Sequence, residues 1–173
     1  SKHDQSLTAH LLNGLFPTYR ILKNLKNHPE TNQVKRLCAG NDFIEALFIC
    51  DYILHDSDKL PDYQSWLIAN DTDGNFSDRF WKSKPAKKED APNFGRDFVE
   101  KKVLDFGLDK LFDGNWRDYL DDIVWGIHNA GVKYDADLGM EKCGLKPQLD
   151  GRERGVLSRL VRISDLYASV IKH

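Results

Sequence analysis

The 173-residue chain is poor in cysteine (three), in proline (six) and in charge of one sign, with a formal net charge of −2. Cys38, Cys50 and Cys143 are odd in number and widely spaced, with no CxxC. That excludes a fully paired disulfide framework and leaves free thiols in a reducing compartment as the simplest account. No apolar run approaches the length needed to cross a bilayer, and the N-terminus lacks the charged-then-apolar order of a signal peptide. No membrane association is expected, and the expected location is cytoplasmic. Near-zero net charge removes any global electrostatic case for nucleic acid, so a polyanion would have to be drawn by a local patch. Alternating apolar and polar residues are also lacking, which leaves no convincing strand and an all-α expectation. What the chain does have is 40% apolar content, enough for one globular domain spanning 1–173 to bury a core. It begins without a methionine and ends in a helical pattern, so we expect a domain excised from a longer protein.

Helical periodicity organises most of the chain. Leu7, Leu11, Leu15, Ile21, Leu22 and Leu25 predict a helix over 4–27, capped by Asp4 or Ser6, with Pro17 expected to kink or divide it. A polar connection to Asn41 follows, and Asp42 is expected to cap a second helix with the stripe Ile44, Leu47, Phe48, Asp51, Tyr52 and His55. Tyr63 to Ile68 reads as a short helical segment. Asn70 to Asn93 is turn chemistry followed by a basic loop at Lys82, Lys84, Lys87 and Lys88. Helix returns over Arg96 to Phe112, ended by Gly114, and again over Trp116 to His128. Asn129 to Leu149 reads as a long loop, and Asp150 with Glu153 resembles a capping box for a last helix over Gly151 to Lys172.

One dipeptide carries the most chemistry. His55-Asp56 closes the apolar stretch Phe43 to Leu54, and Lys59 follows three residues later. An adjacent imidazole and carboxylate can share a metal ion if other ligands arrive from elsewhere. His10, His128 and Asp165 are candidates, each on an apolar helical face. Taken singly, each is better explained as a hydrogen-bonded core residue. Together they are polar groups on separate helices of an apolar bundle, each costly without a shared partner, and bundles build metal sites in this way. His3-Asp4 repeats the two letters, but near a terminus and with no apolar helix before it.

The order His10, His55-Asp56, His128, Asp165 resembles the HD phosphohydrolase superfamily, which implies a helical HD-domain bundle with long loops. Within it, His10-Leu11-Leu12-Asn13-Gly14-Leu15-Phe16-Pro17 and Leu54-His55-Asp56-Ser57-Asp58-Lys59-Leu60-Pro61 look like the N-terminal HD nuclease domain of the large subunit of type I-D CRISPR interference complexes. The resemblance implies that His10, His55, Asp56 and Asp165 hold one divalent metal, with His128 serving a second ion or the scissile phosphate. It also implies single-stranded DNA as substrate, with other effector subunits and a separate helicase as partners.

A mixed nitrogen and oxygen ligand set suits Mn, Fe, Co, Ni or Zn, with Mg less natural. Such an ion would activate water and polarise a phosphoryl oxygen, with Asp56 and His128 at the reacting centre. Lys59 could neutralise charge developing on the phosphate, or be an exposed turn lysine; Asp58 could orient it. The lysine loop, and Arg152, Arg159 and Arg162 on the last helix, could track a phosphate backbone or be solvated faces. Phe80 and Trp81 could stack on a base or anchor the loop. Two other functions stay open: hydrolysis of a small nucleotide, and a non-catalytic docking domain.

Overall fold

A computed structural model describes residues 7–30, 32–70, 95–129 and 145–170. The lysine loop with Phe80 and Trp81, Cys143 and most of the segment after Asn129 lie outside the described residues.

Among the described residues there is no strand, and the architecture is an all-α bundle. The helices are α1 (Leu7–Asn27), α2 (Gln33–Gly40), α3 (Ile44–Leu54), α4 (Pro61–Asn70), α5 (Arg96–Asp105), α6 (Leu120–Asn129) and α7 (Gly151–Val170). None is long and apolar enough to cross a membrane.

The apolar character of α3 dictates its place at the centre. Ile44, Leu47, Phe48, Cys50, Tyr52 and Leu54 are all buried, and the helix packs against α1, α6 and α7. Fully burying one such side chain stabilises the fold by about 1.5–3 kcal/mol, so this run anchors the bundle. α1 lies along α7 and buries Gly14, Thr18 and Leu22 at four-residue spacing, while α7 buries Leu157, Leu160, Val161 and Ser164. Glycine is required at 14: a Cβ there would come within 2.7 Å of Tyr52 Cζ, and closer still to the Tyr52 hydroxyl and the Ser164 carbonyl. The capping box of α7 forms as expected, with Glu153 N–H donating to Asp150 Oδ1 (2.8 Å) and Asp150 N–H to Glu153 Oε2 (2.9 Å).

Several boundaries differ from expectation. Pro17 does not divide α1, because packing of Gly14, Thr18 and Leu22 on both sides of it holds the helix together. The connection before Asn41 is helical: the Asn32 side chain accepts a hydrogen bond from Lys35 N–H (2.9 Å), and Val34, Leu37 and Cys38 turn inward. Asp42 does not cap α3; Phe43 holds that position without a side-chain bond. The helix expected over Arg96 to Phe112 ends early, where Gly107 at φ 67° turns the chain into a 3-10 turn at Leu108–Leu111. A 3-10 turn at Trp116–Tyr119 likewise precedes α6. Pro61 opens α4 at the first helical position, where its missing N–H costs nothing, so that helix exceeds the expected span at both ends.

Candidate metal centre

His55 and Asp56 sit where α3 ends. His55 is its C-terminal cap residue, and a 3-10 turn at Ser57–Lys59 follows at once. Ser57 ties that turn down by donating its hydroxyl to the Leu54 carbonyl (2.6 Å), and Lys59 N–H donates to the Asp56 carbonyl (2.9 Å). The turn brings Lys59 Nζ back onto Asp56 Oδ2 as an ion pair. Asp56 is buried, whereas Lys59 is half-exposed.

Two more helices deliver the remaining groups. His10 comes from α1, one turn before Gly14, and its Nε2 lies 3.7 Å from Asp56 Oδ2. Asp165 comes from α7, directly after Ser164, and its Oδ1 lies 3.2 Å from His10 Nε2 and 3.5 Å from His55 Nε2. His55 Nε2 is also 3.5 Å from Asp56 Oδ2. One ligand atom each of His10, His55 and Asp56 falls within 4.8 Å of the other two, a spacing that could hold a metal ion. The stretches of chain carrying residues 10, 55–56 and 165 therefore converge.

Asp165 faces the two imidazoles but is less buried than its apolar helical face suggests. Leu157, Val161 and Ala168 are buried, but the Asp165 side chain remains 43% exposed and stands at the rim. His128 belongs to α6 by its backbone, and its side chain lies outside the described residues, as does that of Asp58. Sequence reasoning placed Tyr52 only on the apolar stripe, yet it touches both imidazole residues. Its carbonyl accepts a hydrogen bond from His55 Nδ1 (2.5 Å), its ring stacks on that imidazole at 5.1 Å, and its hydroxyl donates to the His10 carbonyl (3.1 Å).

These contacts decide which nitrogens face the centre. A carbonyl can only accept, so His55 Nδ1 must carry a proton, and in the neutral ring Nε2 is then an unshared lone pair. His10 Nε2 and His55 Nε2 are both buried without a hydrogen-bond partner. Unsatisfied buried nitrogens cost about 1–3 kcal/mol each, and a cation between them and the carboxylates removes that cost. The residues present thus fit a divalent metal on physical grounds.

The electrostatics treat the two imidazoles differently. Burial lowers the pKa of His10 despite the pull of Asp56 and Asp165, which keeps it in the neutral form that binds metals. Burial also opposes charging of His55, but Asp165, Asp56 and the Tyr52 carbonyl together raise its pKa. The His55 imidazole holds the Asp165 carboxyl below its ordinary value in spite of partial burial. Burial, then the charges of Asp165 and Asp56, push the Tyr52 hydroxyl up, so it stays a hydrogen-bond donor.

A different polar cluster sits at the interface of α3 and α6. Asp51 is buried beside Gly126, where a Cβ would come within 2.6 Å of its Oδ1, and neither carboxyl oxygen has a hydrogen-bond partner. Burial, then the nearby charge of Asp122, drive its pKa well above the ordinary value, which favours the neutral carboxyl. Asp122 accepts hydrogen bonds from the N–H groups of Gln148 (2.8 Å) and Leu149 (3.0 Å), and burial still pushes it to about 6.

Comparison with protein-family models, with curated proteins and with solved structures finds no match to this chain.

Proposed function

We propose that this domain is a metal-dependent phosphodiesterase of the HD type that cuts single-stranded DNA within a CRISPR interference complex, alongside other effector subunits and a separate helicase. The observation that carries the hydrolase reading is the convergence of His10, His55 and Asp56 within 4.8 Å, with two buried imidazole nitrogens that make no hydrogen bond. The resemblance of the two motifs to the type I-D nuclease domain supports the substrate and the partners.

His10 Nε2, His55 Nε2, an Asp56 oxygen and Asp165 Oδ1 are the groups that would hold a divalent ion such as Mn, Ni, Co, Fe or Mg. Bound there, the ion supplies Lewis-acid activation of water and of a phosphoryl oxygen. The chain's own part is positioning and charge. The Tyr52 carbonyl keeps the proton of His55 on Nδ1, so that Nε2 faces inward. Asp165 stays ionised at the exposed rim and draws cations inward. Lys59, half-exposed beside Asp56, offers its ammonium to a phosphate arriving from solvent, and stabilises charge that builds on it.

The test is incubation of the purified protein with labelled single-stranded DNA and a panel of divalent ions, beside a variant carrying both His55→Ala and Asp56→Ala. Ion-dependent cutting that the variant lacks is the expected result. Hydrolysis of free nucleotides without action on DNA would replace the substrate, and a wild-type chain that binds no divalent ion would end the proposal.

A further inference from the structure

We infer that Tyr52 is the positioning residue of the metal centre, holding both imidazoles in register through three separate parts of one side chain and its backbone. This deepens the reading of the centre as a cation site and rests on it. An ordinary core tyrosine fills space and finds any acceptor for its hydroxyl. The carbonyl and the hydroxyl of Tyr52 instead each meet a residue of the centre.

The carbonyl acts on His55. Three residues further along α3, the imidazole folds back so that Nδ1 lies 2.5 Å from the Tyr52 oxygen, which sets the tautomer. The ring acts on His55 too: stacking at 5.1 Å and 23° limits rotation about the side-chain bond that would swing Nε2 away from Asp56 and Asp165. The hydroxyl acts on the other helix. It donates to the backbone carbonyl of His10 (3.1 Å), fixing where α1 carries its imidazole relative to α3. Gly14, one turn further on, leaves room for that hydroxyl against the α1 backbone. Tyr52 is itself fully buried and stacked on Phe48, so it has no slack of its own. Groups that orient metal ligands from behind typically change metal affinity by 10- to 100-fold when removed.

Tyr52→Phe keeps the carbonyl and the ring and removes only the link to α1. Tyr63→Phe is the matched control, because Tyr63 is equally buried but stands on α4 against Trp66 and Phe98. Calorimetric titration with Ni²⁺ and Mn²⁺ should give a dissociation constant about tenfold weaker for Tyr52→Phe and unchanged for Tyr63→Phe. Wild-type affinity in Tyr52→Phe, or equal weakening in both variants, overturns the inference while leaving the cation site standing. A wild-type chain without metal affinity overturns the parent reading, and this one with it. If Tyr52→Phe does not fold, long-range proton–nitrogen spectra of the metal-free wild type decide: neutral His55 protonated on Nδ1 supports the role, and a proton on Nε2 refutes it.

Discussion

Replacing Gly14 by alanine tests whether the approach of α1 to α7 sets the metal centre. The added methyl would meet the Tyr52 ring at 2.7 Å, with the Tyr52 hydroxyl and the Ser164 carbonyl nearer still. Carbon atoms rest at about 3.5–4.0 Å, so relief requires α1 to retreat by about 1 Å. None of the three obstacles gives easily: two belong to a fully buried ring and one is backbone. Overpacking of this kind costs about 1–3 kcal/mol, which for a chain of this size lowers the melting temperature by roughly 3–10 °C. His10 lies one turn from Gly14, so the same retreat carries His10 Nε2 away from Asp165 Oδ1, now 3.2 Å distant, and from Asp56. Metal affinity should therefore fall by about tenfold or more, alongside the stability loss. Gly40→Ala is the control: nothing lies within 4 Å of a Cβ there, and a helical alanine should be neutral or stabilising by about 0.5–1 kcal/mol. Thermal melts and metal titrations of both variants make the assay. Wild-type melting and wild-type affinity in Gly14→Ala would show that α1 has slack and that this contact positions nothing.

The buried Asp51–Asp122 pair predicts a stability that rises on acidification. Both folded pKa values are raised, Asp122 to about 6, so the folded state holds protons that the unfolded chain releases. The associated stability is fully present below about pH 4 and is lost as pH rises through the folded values. Asp51→Asn should add about 1–3 kcal/mol at pH 8 and flatten the slope in denaturant titrations between pH 5 and 8; unchanged stability at pH 8 would refute a protonated Asp51. Asp150→Ala removes the side-chain half of the α7 capping box and should cost about 1 kcal/mol in urea unfolding, a loss whose absence would show that the box is idle.

The all-helical class, the central apolar helix, the α7 capping box and the candidacy of His10, His55, Asp56 and Asp165 for one centre were legible in the sequence. Those features are local. Periodicity, a cap three residues from its partner, and an imidazole beside a carboxylate at the end of an apolar run are written within one or two turns of chain. α2 also left a trace, in Val34, Leu37 and Cys38, but its polar surroundings hid it. Helix packing, by contrast, settled that Pro17 leaves α1 whole, that α5 ends at Asp105 just before Gly107, and that Asp165 stands at the rim. It alone decided the use of Tyr52, because a residue that reads as core packing along α3 gains its role from where α1 crosses it. The reason is range. Helix faces follow from neighbouring residues, whereas exposure at a rim and a hydroxyl's partner depend on how separate helices cross, and two glycines, Gly14 and Gly126, set how close those crossings come.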